Sequence, residues 1–116
     1  MTKITIQEKS YAFALRVIAL YRVMVAHNEF VLSKQVLKSG TSIGANIEEA
    51  QAGQSRADFL SKMSIASKEA RETRYWLRLI RDSKILGTRD VAPLLEESDE
   101  LVRIISSIVK TTATSK

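Results

Sequence analysis

Between Phe59 and Ile80, small and apolar residues return without a break: Phe59, Met63, Ala66, Ala70, Thr73, Leu77 and Ile80, at steps of 4, 3, 4, 3, 4 and 3. Only an α-helix holds such a series on one face, because its turn brings i, i+3, i+4 and i+7 into line. A helix with so long an apolar stripe must be covered along its whole length, and the rest of the chain has to supply that cover. Composition agrees. The 116 residues include four glycines and one proline, too few turn formers for a many-stranded β fold, and 45% are hydrophobic, enough for one core.

Three further segments repeat the helical period. In the first, Tyr11, Ala14, Ile18, Tyr21 and Val25 form one apolar line, and Phe13, Val17, Leu20 and Met24 form a second about a third of a turn away. In the second, Val36, Gly40, Ile43, Ile47 and Ala50 make the line. Gly40 and Gly44 each cost a helix about 1 kcal/mol relative to alanine, so a neighbouring element is expected to approach closely there. In the last, Leu94, Ser98, Leu101, Ile105 and Ile108 recur, with Leu95, Val102 and Val109 beside them.

Punctuation sets the boundaries. Ser55 and Asp58 resemble a capping box at the start of the third segment, and Gly87 stands where a C-terminal glycine cap would follow Leu86. Thr88 or Asp90 is the expected cap of the fourth, with Pro93 in its first turn and the terminal TTATSK frayed. The spacing thus predicts one domain over 1–116, with helices over 8–27, 32–51, 56–86 and 89–111. Short joints between helices of similar length imply an all-α, antiparallel, up-down-up-down four-helix bundle.

Several chemistries are excluded early. With no cysteine there is no disulfide framework, thiolate zinc site or cysteine nucleophile. His27 is the only histidine, which leaves none to spare for a multi-histidine metal site, and it suits the C-terminal dipole of the first helix. No metal or cofactor is expected. The stretch from Tyr11 to Ala26 is interrupted by Arg16 and Arg22 and is too short to cross a bilayer, and MTKITIQEKS lacks the apolar centre of a signal peptide. A soluble cytoplasmic protein with no membrane partner is expected.

Three side-chain constellations remain. A polar line on the second helix, Gln35, Ser39, Ser42, Asn46 and Glu49, runs beside the apolar one. It reads as a hydrogen-bonded network fixing helix register at a packed seam; the catalytic alternative lacks a suitable base nearby. On the third helix Lys68, Arg71, Arg74, Arg78 and Arg81 form a basic ladder, and residues 54–87 hold 8 basic and 4 acidic groups, +4 of the net +5. Guanidinium rows suit phosphate backbones. The competing reading is a neutralised face, in which Glu96, Glu97, Asp99 and Glu100 of the fourth helix answer the arginines. Finally, Glu69, Glu72, Trp76 and Leu79, with Ile65, lie on another face of the third helix. They read as a contact between subunits, or as the frame of a ligand pocket. Two acids at this step also look like half of a di-iron site, but the Glu-x-x-His pattern is missing.

The run from Ser39 to Ala50, SGTSIGANIEEA, and the run from Lys68 to Trp76, KEARETRYW, closely resemble motifs of the bacterial four-helix-bundle family of the 23S rRNA intervening-sequence protein. The resemblance extends over Leu32 to Ile80. It implies a homopentameric barrel of side-by-side protomers. The family is similar to the accessory protein of diversity-generating retroelements, which works with a reverse transcriptase and nucleic acid, so a partner of either kind is implied. No biochemical activity is implied. The expectation is therefore a non-enzymatic, self-associating scaffold presenting basic surface to RNA or DNA through phosphate contacts. The alternative is a protein-interaction scaffold with no nucleic-acid role.

Overall fold

Each helix begins and ends where local chemistry can satisfy its free backbone groups. The computed structural model describes residues 4–115; residues 1–3 and 116 lie outside the described residues. Helix α1 spans Ile6–Ala26, α2 Leu32–Gln51, α3 Arg56–Asp82 and α4 Thr88–Thr114. Thr5 opens α1 with a reciprocal cap: its hydroxyl accepts the Glu8 N–H and the Glu8 carboxylate accepts the Thr5 N–H, each at 3.1 Å. At the other end the Glu29 and Asn28 N–H groups donate back to the Met24 and Val25 carbonyls, each at 2.9 Å, with Asn28 in the left-handed region at φ 64°. The Glu29 carboxylate then turns to the next helix and accepts the N–H groups of Val31, Leu32 and Ser33 at 3.0, 3.2 and 2.9 Å. One residue thus closes α1 and caps α2. His27 sits at the end of α1 as expected, with Nδ1 2.8 Å from the Val23 carbonyl oxygen.

Two expected boundaries are corrected at the α3–α4 joint. Helix α3 ends at Asp82, short of Leu86, because the left-handed residue that stops it is Lys84 at φ 60°. Gly87 does not cap α3. It is the N-cap of α4, extended at φ −65° and ψ 149°, and its carbonyl accepts the Asp90 N–H at 3.1 Å. Helix α4 therefore starts earlier than either expected cap allows, which moves Pro93 from the first turn into the second. At the far end α4 stays helical to Thr114, so most of the tail expected to fray does not. A residue with a Cβ at φ 60° costs about 1 kcal/mol that glycine escapes. Lys84→Gly is expected to stabilise the protein by about 0.5–1 kcal/mol, read as a higher urea midpoint at unchanged m-value.

Neighbours in sequence are neighbours in space, and α1 closes the ring on α4. The directions alternate. Gly40 and Gly44 of α2 meet Val17 and Ser10 of α1, Ser39 bonds Thr73, and Arg71 and Arg74 of α3 meet Ser106 and Asp99 of α4. The bundle is up-down-up-down, with overall extents of 49 × 31 × 20 Å. Every member of the expected α3 line from Met63 to Ile80 is buried, as is the α2 line. On α1 the order of the two lines is reversed: Phe13, Val17, Leu20 and Met24 form the core, while Tyr11 is 65% exposed.

The α1–α4 seam is the thinnest of the four. It is bridged by the ion pairs Lys9–Glu100 and Arg16–Glu97, and two grooves of about 260 and 330 Å³ open along it. Lys9 donates to the Glu100 carboxylate and holds it below the ordinary carboxylate range. Among the described residues, no helix is long and apolar enough to cross a membrane.

Candidate nucleic-acid interface

Helix α3 carries both candidate surfaces, on opposite sides of its buried stripe. Lys68, Arg71, Arg78 and Arg81 are exposed on the side toward α4 and solvent, with Arg74 half-buried among them. Their partners differ. Arg71 donates from Nη2 to the Ser106 hydroxyl at 3.2 Å, a neutral partner that leaves its charge unbalanced. Arg74 lies 3.6 Å from the Asp99 carboxylate. Arg81 grips its own neighbour, with Nε and Nη2 donating to the two Asp82 oxygens at 2.7 and 3.2 Å. That fork holds the Asp82 carboxyl below its usual range. Among the described residues, Lys68, Arg71 and Arg78 have no carboxylate within 4.0 Å.

The acids expected to neutralise the ladder divide between two helices. Asp99 reaches α3, Glu97 and Glu100 turn to Arg16 and Lys9 of α1, and Glu96 is exposed with no cation within 4.0 Å among the described residues. On a helix, residues two apart differ by about 200°, so Glu97 and Asp99 cannot face the same neighbour. Two cations escaped the sequence reading. Arg103 follows Asp99 by one turn of α4 and Lys110 follows Ser106 by one turn, and both are exposed. They extend the basic face beyond α3. The signal was present in the period of α4, once Asp99 and Ser106 are known to face the ladder.

The polar line of α2 does not form the expected network. Ser39 is fully buried, and its hydroxyl bonds the buried Thr73 hydroxyl across the α2–α3 seam at 2.9 Å. Ser42 and Asn46 instead donate along their own helix, to the Lys38 and Ser42 carbonyls at 2.7 and 2.8 Å. Gln35 and Glu49 are exposed, Glu49 standing 3.6 Å from Lys62. The five positions spread over about 80° of helix surface, and Ser39 is the one nearest the core. None of the five lines the two grooves of the α1–α4 seam or the outer groove between α1 and α2.

On the α2-facing side of α3, Ile65, Glu69, Glu72, Trp76 and Leu79 do come together as one strip. Ile65 and Leu79 are 39% and 36% exposed. The Trp76 indole Nε1 donates to Glu72 Oε2 at 3.1 Å. Burial pushes the Glu69 carboxyl up, the Glu72 charge adds to that, and Lys38 across the seam opposes both. The α1 line that begins with Tyr11, Ala14 and Ile18 supplies a second apolar strip, on the outside rather than in the core. Tyr11, Ala14, Leu15 and Ile18 of α1, with Thr41, Gly44 and Ala45 of α2, line an outer groove of about 380 Å³. No group of three or more metal-ligating side chains is found among the described residues.

Comparison with known proteins fits this arrangement. A search of curated proteins finds no match to the chain. It is similar to a protein of unknown function from the S23 ribosomal protein family of Bacteroides thetaiotaomicron, whose crystal structure superimposes with a TM-score of 0.89 at 46% identity. That alignment covers 92% of this chain and 100% of the other. The family model described as 23S rRNA-intervening sequence protein matches residues 2–107, a span that takes in all of α1, α2 and α3 and most of α4. With both motif runs inside that span and the four helices in place, the chain belongs to the 23S rRNA-intervening sequence protein family.

Proposed function

We propose that this protein is a non-enzymatic scaffold that assembles from identical copies and offers a basic face to RNA or DNA, mainly through phosphate contacts. One observation carries the reading: among the described residues no carboxylate stands within 4.0 Å of Lys68, Arg71 or Arg78, while Glu97 and Glu100 are engaged by α1. A guanidinium that already had a carboxylate would exchange one anion for another on binding and gain little. An unpaired one gains the whole interaction and releases counterions from the nucleic acid. The family's name, which ties it to 23S rRNA intervening sequences, is in keeping with an RNA setting.

Self-association is supported by two apolar strips on different faces, the α1–α2 groove and the strip of α3 from Ile65 to Leu79. Two dissimilar strips that fit each other dock head to tail, and a head-to-tail contact closes into a ring when its rotation permits. The pentameric barrel implied by the family resemblance is such a ring.

The test is a salt titration of binding to a short RNA. The slope of log K against log salt should be steep, and Arg71→Ala with Arg78→Ala should reduce it by about 2. Binding indifferent to salt rejects phosphate contact. No binding at all, with capture of a protein partner instead, favours a protein-interaction scaffold.

A further inference from the structure

An aromatic ring interrupts the basic ladder. Tyr75 is 50% exposed and stands one turn after Arg71 and three residues before Arg78. It is held rather than loose. Its ring meets that of Trp76 edge-on, with centroids 5.2 Å apart and planes at 66°, and Trp76 is itself tied to Glu72 through the indole N–H. An edge contact of this kind fixes the phenol while leaving ring surface open to solvent. Arg71 lies about 6 Å before the ring along the helix axis and Arg78 about 4.5 Å after it.

We propose that Tyr75 is a stacking platform for an unpaired base, so that the basic face takes single-stranded nucleic acid in preference to duplex. The inference rests on the phosphate-contact reading above and adds a ligand class to it. In a duplex every base is stacked on its neighbours and shows only its edge, so a ring lying among phosphate-binding groups gains nothing from it. In a single strand, one base can turn onto the ring while the phosphates on either side meet Arg71 and Arg78. Stacking on an aromatic side chain is worth about 5- to 150-fold in affinity per base and is tolerant of sequence. The nearby Glu72 carboxylate, which would repel the strand, is turned to the indole.

The experiment measures binding of the full chain to a 12-nucleotide RNA, to DNA of the same sequence, and to a duplex of the same length, at one low salt concentration. Wild type, Tyr75→Ala, Tyr75→Phe and the Arg71→Ala/Arg78→Ala variant are compared. Tyr75→Ala is expected to lose about 5-fold or more on single strands and less than about 2-fold on duplex. It should keep the wild-type salt slope, and Tyr75→Phe should stay near wild type. Equal affinity for RNA and DNA assigns the contact to base and phosphate, and a preference for RNA adds the 2′-hydroxyl; stacking is supported in both. An unchanged single-strand to duplex ratio in Tyr75→Ala overturns the proposal. So does a fall in the solution mass of Tyr75→Ala, which would put the ring in a contact between copies. If instead the double arginine variant keeps the full salt slope, the phosphate reading fails first.

Discussion

Gly40→Ala lowers stability by about 1–2 kcal/mol, although alanine is the better helix former by about 1 kcal/mol. A Cβ at this position would stand 2.9 Å from both Cγ1 and Cγ2 of Val17. Val17 is fully buried and β-branched, so it has one favoured rotamer in a helix and no room to swing its methyls away. Overpacking of this kind costs about 1–3 kcal/mol and outweighs the gain in propensity. Gly44 is the control. Its added Cβ would meet the Ser10 carbonyl and hydroxyl oxygens at 3.4 Å, an ordinary contact, so Gly44→Ala is expected to be neutral or slightly stabilising. Val17→Ala in the Gly40→Ala background should restore stability, because the new methyl fills the space that valine leaves, giving a coupling of about 1 kcal/mol or more. Urea denaturation of the four variants measures the cycle. A Gly40→Ala variant more stable than wild type would mean that α1 and α2 are further apart than described.

With the proposed assembly through the outer groove, Leu15→Glu is expected to give single protomers that keep their helix content. Leu15 is 52% exposed and lies outside the core, so the protomer has no reason to unfold. In an assembly it sits in the outer groove with Tyr11 and Ile18. A carboxylate buried there without a partner costs several kcal/mol, which weakens association by about 100-fold or more. Light scattering across a concentration series, with circular dichroism on the same samples, reads both quantities. A wild-type protein that stays a protomer at high concentration, or a variant that keeps the full mass, refutes assembly through this groove.

The bundle was legible in the sequence because α3 carries its core stripe of small and apolar residues without a break, with no rival stripe of equal length. Helix α1 was harder to read. Its two apolar lines both keep the helical period, and what ranks them is Gly40, whose bare backbone admits Val17 of the second line. The end of α3 was misplaced because glycine at position 87 is compatible with either neighbour's terminus. A lysine in the left-handed region leaves no local mark. On the candidate interface, the ladder itself followed from spacing, whereas its charge balance depended on which way each acid of α4 points. That direction was available from the helical period, since Glu97 and Asp99 must look to different sides. Arg103 and Lys110 became significant only when the partner helix had been placed, whereas the place of Tyr75 within the ladder follows from the period of α3 itself.

The closure between α1 and α4 has a consequence for how the molecule responds to its ionic surroundings. Fewer residues meet there than at the other seams, and the pairs Lys9–Glu100 and Arg16–Glu97 that span it are open to solvent, where dissolved ions weaken them within a Debye length of about 10 Å at 0.1 M. The electrolyte that would compete with the proposed polyanion at the arginines therefore also weakens the join between first and last helices. On the proposed reading, loosening of the α1–α4 seam and release of a polyanion are coupled to one variable, although no side chain is shared between them.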